Sequence, residues 1–184
     1  VKRWDLPGRI VVTYQTDGII RVVSKGGLEK LRKVWSLLQG GRDEHQKAID
    51  LFLADTAEEK DAIRNDARGN LDEDLKTAAS NPTYALQVLS QLCLCARMGK
   101  DGNRCLEEHL LVLVESADML IPVGEEIARL SETDRKRVSI CFDWFSDPDF
   151  ANGSDAVVLV CESKSQLSQK VAKLPQVLEV KVPS

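Results

Sequence analysis

Leu110-Leu111-Val112-Leu113-Val114-Glu115-Ser116-Ala117-Asp118 is the stretch that decides the fold. Five apolar residues in a row, with no polar residue alternating among them, describe a strand apolar on both faces. Such strands lie inside parallel sheets covered by helices on both sides. Ala156-Val157-Val158-Leu159-Val160-Cys161 is a second run of the same kind. Between the two, a helix is expected from Ser131 to just before Pro148, with Val138, Cys141, Phe142 and Phe145 on one stripe. Strand, helix, strand is a right-handed crossover between parallel strands. The expected class is α/β, a three-layer parallel sheet.

Outward from this centre, Arg9 to Tyr14 reads as a β-branched strand, Asp17-Gly18 as a turn, and Ile19 to Val23 as the return of an N-terminal hairpin. Leu28, Leu31, Val34, Trp35 and Leu38 have helical spacing and end at Gly40-Gly41. Asp43 to Leu53 is a second helix with Ala48, Ile49 and Phe52 on one side. Residues 55–80 are highly charged and read as exposed helices or a mobile excursion. Asn81-Pro82 caps and opens a helix that runs to Arg97 and is apolar nearly all round. Ser165 to Lys173 is a further helix, and the alternation from Leu178 to Val182 describes an edge strand. The whole, residues 1–184, is expected to form one domain.

Composition narrows the function. A net charge of −4 gives no global attraction for nucleic acid or an anionic membrane. No apolar run approaches the roughly 20 residues of a membrane helix, and the start Val1-Lys2-Arg3-Trp4-Asp5 has no signal-peptide pattern. Five cysteines, an odd number set in apolar runs, point to reduced thiols and a cytoplasmic setting. The chain opens without Met and stops after a strand-like run, so a piece of a longer protein is expected.

The candidate chemistry centres on Glu115 and Asp118. Carboxylates at the end of a parallel strand stand where such sheets bind ligands, and in phosphoryl-transfer enzymes they hold Mg²⁺ and polarise a water. The competing role is to cap the next helix. The remaining phosphate-binding parts are missing. The only Gly-Lys pair is Gly99-Lys100, with Leu94 where the first glycine of a phosphate loop belongs and Asp101 in place of its hydroxyl residue. Cys93, Cys95, Cys105 and His109 resemble zinc ligands in type only, because residues two apart on a helix diverge by about 200°. His45 and His109 read as surface or boundary residues. Asp134-Arg135-Lys136-Arg137, with mixed signs, reads as a solvated face. Trp35, Phe52, Phe142 and Phe145 read as core, whereas Trp144 falls off its helix's stripe and is expected at a contact with another domain or subunit. Cys161-Glu162-Ser163-Lys164 reads as a loop opening the next helix.

A set of ordered elements carries a resemblance: Leu111 to Asp118, Ile121-Pro122, Leu130 to Arg135, Trp144-Phe145-Ser146-Asp147-Pro148, Val157 to Val160, and Leu174-Pro175 to Val182-Pro183. Together they resemble the N-terminal region of a group of bacterial AAA+ ATPases, cyanobacterial and plastid-encoded members included. The resemblance is firm over about two-fifths of the chain and extends to the N-terminal part only through Trp4-Asp5-Leu6-Pro7 and the strand after it. It implies an AAA-type core of the P-loop NTPase kind without its phosphate loop, non-catalytic and holding no cofactor or metal. ATP and Mg²⁺ would belong to a complete module beyond Ser184. Partners so implied are that module, other subunits, and a protein substrate or adaptor, with docking, ring assembly or recruitment as the work. The family usually places Asp first and Glu last in the carboxylate segment, and Glu115 and Asp118 exchange them. Two rivals stay open: a nucleotide-binding enzyme using Glu115 and Asp118 with Mg²⁺, and a standalone scaffold domain.

Overall fold

A computed structural model describes residues 6–15, 18–38, 44–64, 69–98, 104–124 and 130–181, the side chains at 37–38 and 44–46 excepted. Strand β3 (His109–Val114) runs between β1 (Arg9–Tyr14) and β4 (Ala156–Leu159), parallel to both, and β2 (Ile20–Val22) returns antiparallel on the outer side of β1. The sheet order is β2-β1-β3-β4. This is the expected mixed α/β class, with the hairpin in place.

The helices arise from local signals. In chain order they are α1 (Gly27–Leu38), α2 (Glu44–Leu53), α3 (Ala57–Arg64), α4 (Leu71–Ser80), α5 (Pro82–Arg97), the single turn α6 (Ala117–Leu120), α7 (Glu132–Ser146), α8 (Pro148–Ala151) and α9 (Gln169–Ala172). Asn81 caps α5 by accepting the Tyr84 N–H at 3.1 Å, with Pro82 at the first position. Helix α5 packs on α1, α4 and α7. That explains its all-round apolarity: Leu86, Leu89, Leu92 and Cys93 are all buried.

Register fixes which residues share a sheet face. Ile10 and Leu110, then Val12, Val112 and Val157, then Tyr14, Val114 and Leu159 lie side by side. They belong to one core with α1, α4, α5, α7 and α9. The other face carries Val11, Leu111 and Ala156, then Thr13, Leu113 and Val158. Here Val11 is buried and Leu111 and Leu113 are half-buried, but Val158 is 43% and Val160 45% exposed. Helices were expected over both faces, and the main core lies on one. Both crossovers, β1 to β3 and β3 to β4, step the same way across the sheet, so a shared hand places their helices on the same side.

Other expectations are corrected. The charged stretch 55–80 divides. Helix α3 buries no residue, whereas α4 buries Leu71 and Ala78 and packs on α5 and α1. Its acidic first turn supplies acceptors: Asp72 takes two N–H groups of Arg32, and Asp74 takes Trp35 Nε1 at 2.8 Å and Tyr84 OH at 2.6 Å. Phe52 is not core but 87% exposed, because α2 packs on α3 rather than on the sheet's helical layer. Trp144 is not an external contact. It is buried beside Phe145 and Phe150, with centroids at 5.1 and 5.9 Å, while Phe142 is half-buried under Lys170. The expected helix 165–173 breaks into a 3₁₀ turn (Lys164–Gln166) and α9, because Leu167 bridges to Pro122. Leu178 to Lys181 forms no strand, and Val182 lies outside the described residues.

The Asp74 bridge makes a testable claim. Its hydrogen bond, with burial and the carboxylate charge, pushes the Tyr84 hydroxyl up to about 12. A folded value above the usual ~10 means a contribution fully present below pH ~10 and lost as pH rises through 12. In a Tyr14→Phe background, phenolate absorbance should titrate near 12, and Asp74→Asn should return it toward 10. A midpoint near 10 before that substitution would refute the bridge.

Candidate functional site

Glu115 comes directly after β3, and the crest it begins is held from both sides. Its N–H donates to Tyr14 O at 2.9 Å, Val160 N–H donates to Val114 O at 2.8 Å, and Ala117 N–H donates to Val160 O at 2.8 Å. Ser116 turns the chain with φ 49° and ψ 48°, the one non-glycine residue with positive φ among those described. That conformation costs an L-residue roughly 1–2 kcal/mol, and it drops the chain into α6, where Ala117 and Leu120 are buried. Glu115 and Asp118 therefore stand half-buried at the carboxyl edge of a central parallel strand.

The neighbourhood is unlike a nucleotide site. Glu115 Oε1 accepts from Gln15 Nε2 at 3.4 Å, and Arg21 donates to the Gln15 side-chain oxygen, so Glu115 is tied to β1 and the hairpin. Beyond β1 the chain turns back. Gly18 N–H donates to Gln15 O at 2.9 Å, and β2 comes next. A phosphate loop needs a helix N-terminus directly after the strand, so that backbone amides face the phosphates. Here the strand leads into a hairpin, and α1 begins only after β2. Asp118 and Glu179 lie near Cys161, and burial first, then their charge, pushes that thiol up. Carboxylates gathered at this edge would repel a triphosphate. Among the described residues, no group of three or more His, Cys, Asp or Glu side chains is placed to hold a metal ion. Among the described residues, then, strand–turn–strand stands beside Glu115 where strand–loop–helix would cradle a phosphate.

The other sequence candidates are dispersed. Cys93 and Cys95 are both buried in α5; burial pushes the Cys93 thiol up, and it raises the Cys141 thiol to about 12. Cys105 is half-buried and His109 opens β3. His45 lies in α2 with its side chain outside the described set, as do Trp4 and Gly99-Lys100 entirely. Arg135 and Lys136 are exposed, while Arg137 reaches Thr83 Oγ1 at 3.1 Å. Ser163 caps the 3₁₀ turn, as its loop role requires.

Sequence reasoning missed a buried charge network at the opposite, amino edge of the sheet. Asp155, just before β4, is fully buried and accepts Leu110 N–H at 2.8 Å and Arg104 Nη2 at 3.0 Å. Arg97 Nε lies 3.9 Å from Asp155, and its Nη2 bonds Asp147 at 3.1 Å. Burial opposes the charge on Asp147, but the Asp149 amide and the Arg97 guanidinium outweigh it and hold the carboxyl below its usual range. The only local signals were an Asp directly before an apolar strand and an Arg ending an apolar helix.

A largely parallel sheet with a strand-end carboxylate crest, and with a hairpin after β1 where a phosphate loop would stand, defines a Rossmann-like class. The family model for the AAA+ chaperone N-terminal Rossmann-like domain matches residues 8–183, and the chain belongs to that family. The match takes in the N-terminal half, where the sequence resemblance was loose. No curated protein and no solved structure matches the chain.

Proposed function

We propose that this domain is the non-catalytic front part of an AAA+ chaperone, docking on a downstream ATPase module and contributing to ring assembly or to receiving a protein substrate or adaptor. ATP and Mg²⁺ act in that other module. The observation that carries the reading is the hairpin after β1, which replaces strand–loop–helix with strand–turn–strand beside Glu115. Supporting it, exposed Val158 and Val160 on the second sheet face, with exposed Leu178 and Val180, offer apolar surface for a neighbouring module.

Calorimetric titration of the chain with ATP, with and without Mg²⁺, tests the non-catalytic part, and no heat of binding is expected. Mg²⁺-dependent binding that disappears in Glu115→Ala would replace this reading with that of a nucleotide enzyme.

A further inference from the structure

Helices α2 and α3 pack on each other, and the corner where they meet carries the most exposed aromatic residue described. Ile49, Phe52 and Leu53, at i, i+3 and i+4, form one helical stripe; Phe52 is 87% and Leu53 66% exposed. Isolated apolar side chains on a surface need no explanation, but a contiguous stripe led by a nearly bare phenylalanine marks an interaction surface.

Charge selects the occupant. Directly after the stripe come Asp55, Glu58 and Glu59, all exposed. Glu59 accepts the Asp55 and Thr56 amides, and the Thr56 amide first, then that of Asp55, holds its carboxyl below the usual range, so it is charged at neutral pH. Among the described residues of α3, Arg64 pairs with Asp61 and the Lys60 charge acts on Glu59, so the three carboxylates still outnumber the cation beside them. An anionic bilayer or a nucleic acid would be repelled here. A second copy meeting corner to corner would set acid against acid.

We infer that the α2–α3 corner docks a basic amphipathic polypeptide segment, with apolar side chains seated on Ile49, Phe52 and Leu53 and Lys or Arg facing Asp55, Glu58 and Glu59. This deepens the docking role proposed above. Peptide binding at α2–α3 and ATP binding at the sheet edge are read by different titrations, so either can fail alone.

The test uses the chain and three fluorescent short peptides: amphipathic Leu/Lys, amphipathic Leu/Glu, and Lys/Ser of the same charge as the first. Anisotropy should show saturable binding of Leu/Lys only, weakened by added salt. Phe52→Ser, which keeps every charge, should weaken it about tenfold or more, and Asp55→Asn with Glu58→Gln by a similar factor. Phe52 is bare, so an unchanged melting temperature is expected and separates lost docking from lost folding. Equal binding by the Lys/Ser peptide, or undiminished binding by Phe52→Ser, would overturn the inference. So would self-association in sedimentation that Phe52→Ser abolishes, since the stripe would then belong to a second copy.

Discussion

Asp155→Ala is expected to lower the unfolding free energy by about 3–5 kcal/mol, the range for removing one partner from a buried ion pair. The side chain is fully buried, and Oδ1 takes both the first interior amide of β3 and the Arg104 guanidinium. Truncation orphans the Leu110 N–H. It also leaves Arg97, itself only 10% exposed, with Asp147 as its one carboxylate partner. The position matters to the whole sheet: Arg9 of β1 donates to Ser154 O at 3.1 Å, so the loop before β4 gathers the amino ends of β1, β3 and β4. Urea unfolding followed by circular dichroism measures the loss. Asp155→Asn, which keeps an acceptor for Leu110 but no charge, should fall between wild type and Ala. A loss below about 1 kcal/mol in Asp155→Ala, the level of an exposed pair, would show that the network is dispensable.

The parts of this fold legible in the sequence are those written in local pattern. The unbroken run from Leu110 to Val114 announced a central strand, and Asn81-Pro82 announced the start of α5. Glu115 and Asp118 could be placed because the end of a strand fixes the position of the residues just beyond it. The features that escaped were decided by remote partners. Periodicity put Ile49 and Phe52 on one side of α2, yet could not say whether anything meets Phe52. The phase of α7's buried face is set by Phe150, beyond Pro148, which draws Trp144 inward in place of Phe142. Asp72 and Asp74 read as solvated charges, although Arg32, Trp35 and Tyr84 were waiting to donate to them. Alternation from Leu178 onward promised a strand, but a strand also needs a neighbour to pair with. The tie between Gln15 and Glu115 spans a sequence separation of 100 and leaves no local trace.

Gly18→Ala is expected to destabilise the chain by about 2–4 kcal/mol, combining a positive-φ penalty with an overpacking one. Gly18 has φ +86°, and a Cβ built there would stand 2.2 Å from the Ala79 carbonyl oxygen, a backbone atom near the end of α4 that cannot rotate aside. Gly8 supplies the control. Its φ is +70° with nothing within 4 Å of an added Cβ, so Gly8→Ala should carry only the conformational part, about 1–2 kcal/mol. The difference between the two isolates the contact of the hairpin turn with α4. Equal losses would mean that the turn does not press on the helix. The contact bears on function because it holds the β1–β2 turn at the carboxyl edge, beside Gln15 and Glu115, where a phosphate loop would have to form. If Gly18→Ala loosens the turn, the amide protons of Gly18 and Ile19 should exchange faster while those of β3 stay protected. Such a result would identify packing against α4 as the force that holds the hairpin turn beside the strand-end carboxylates.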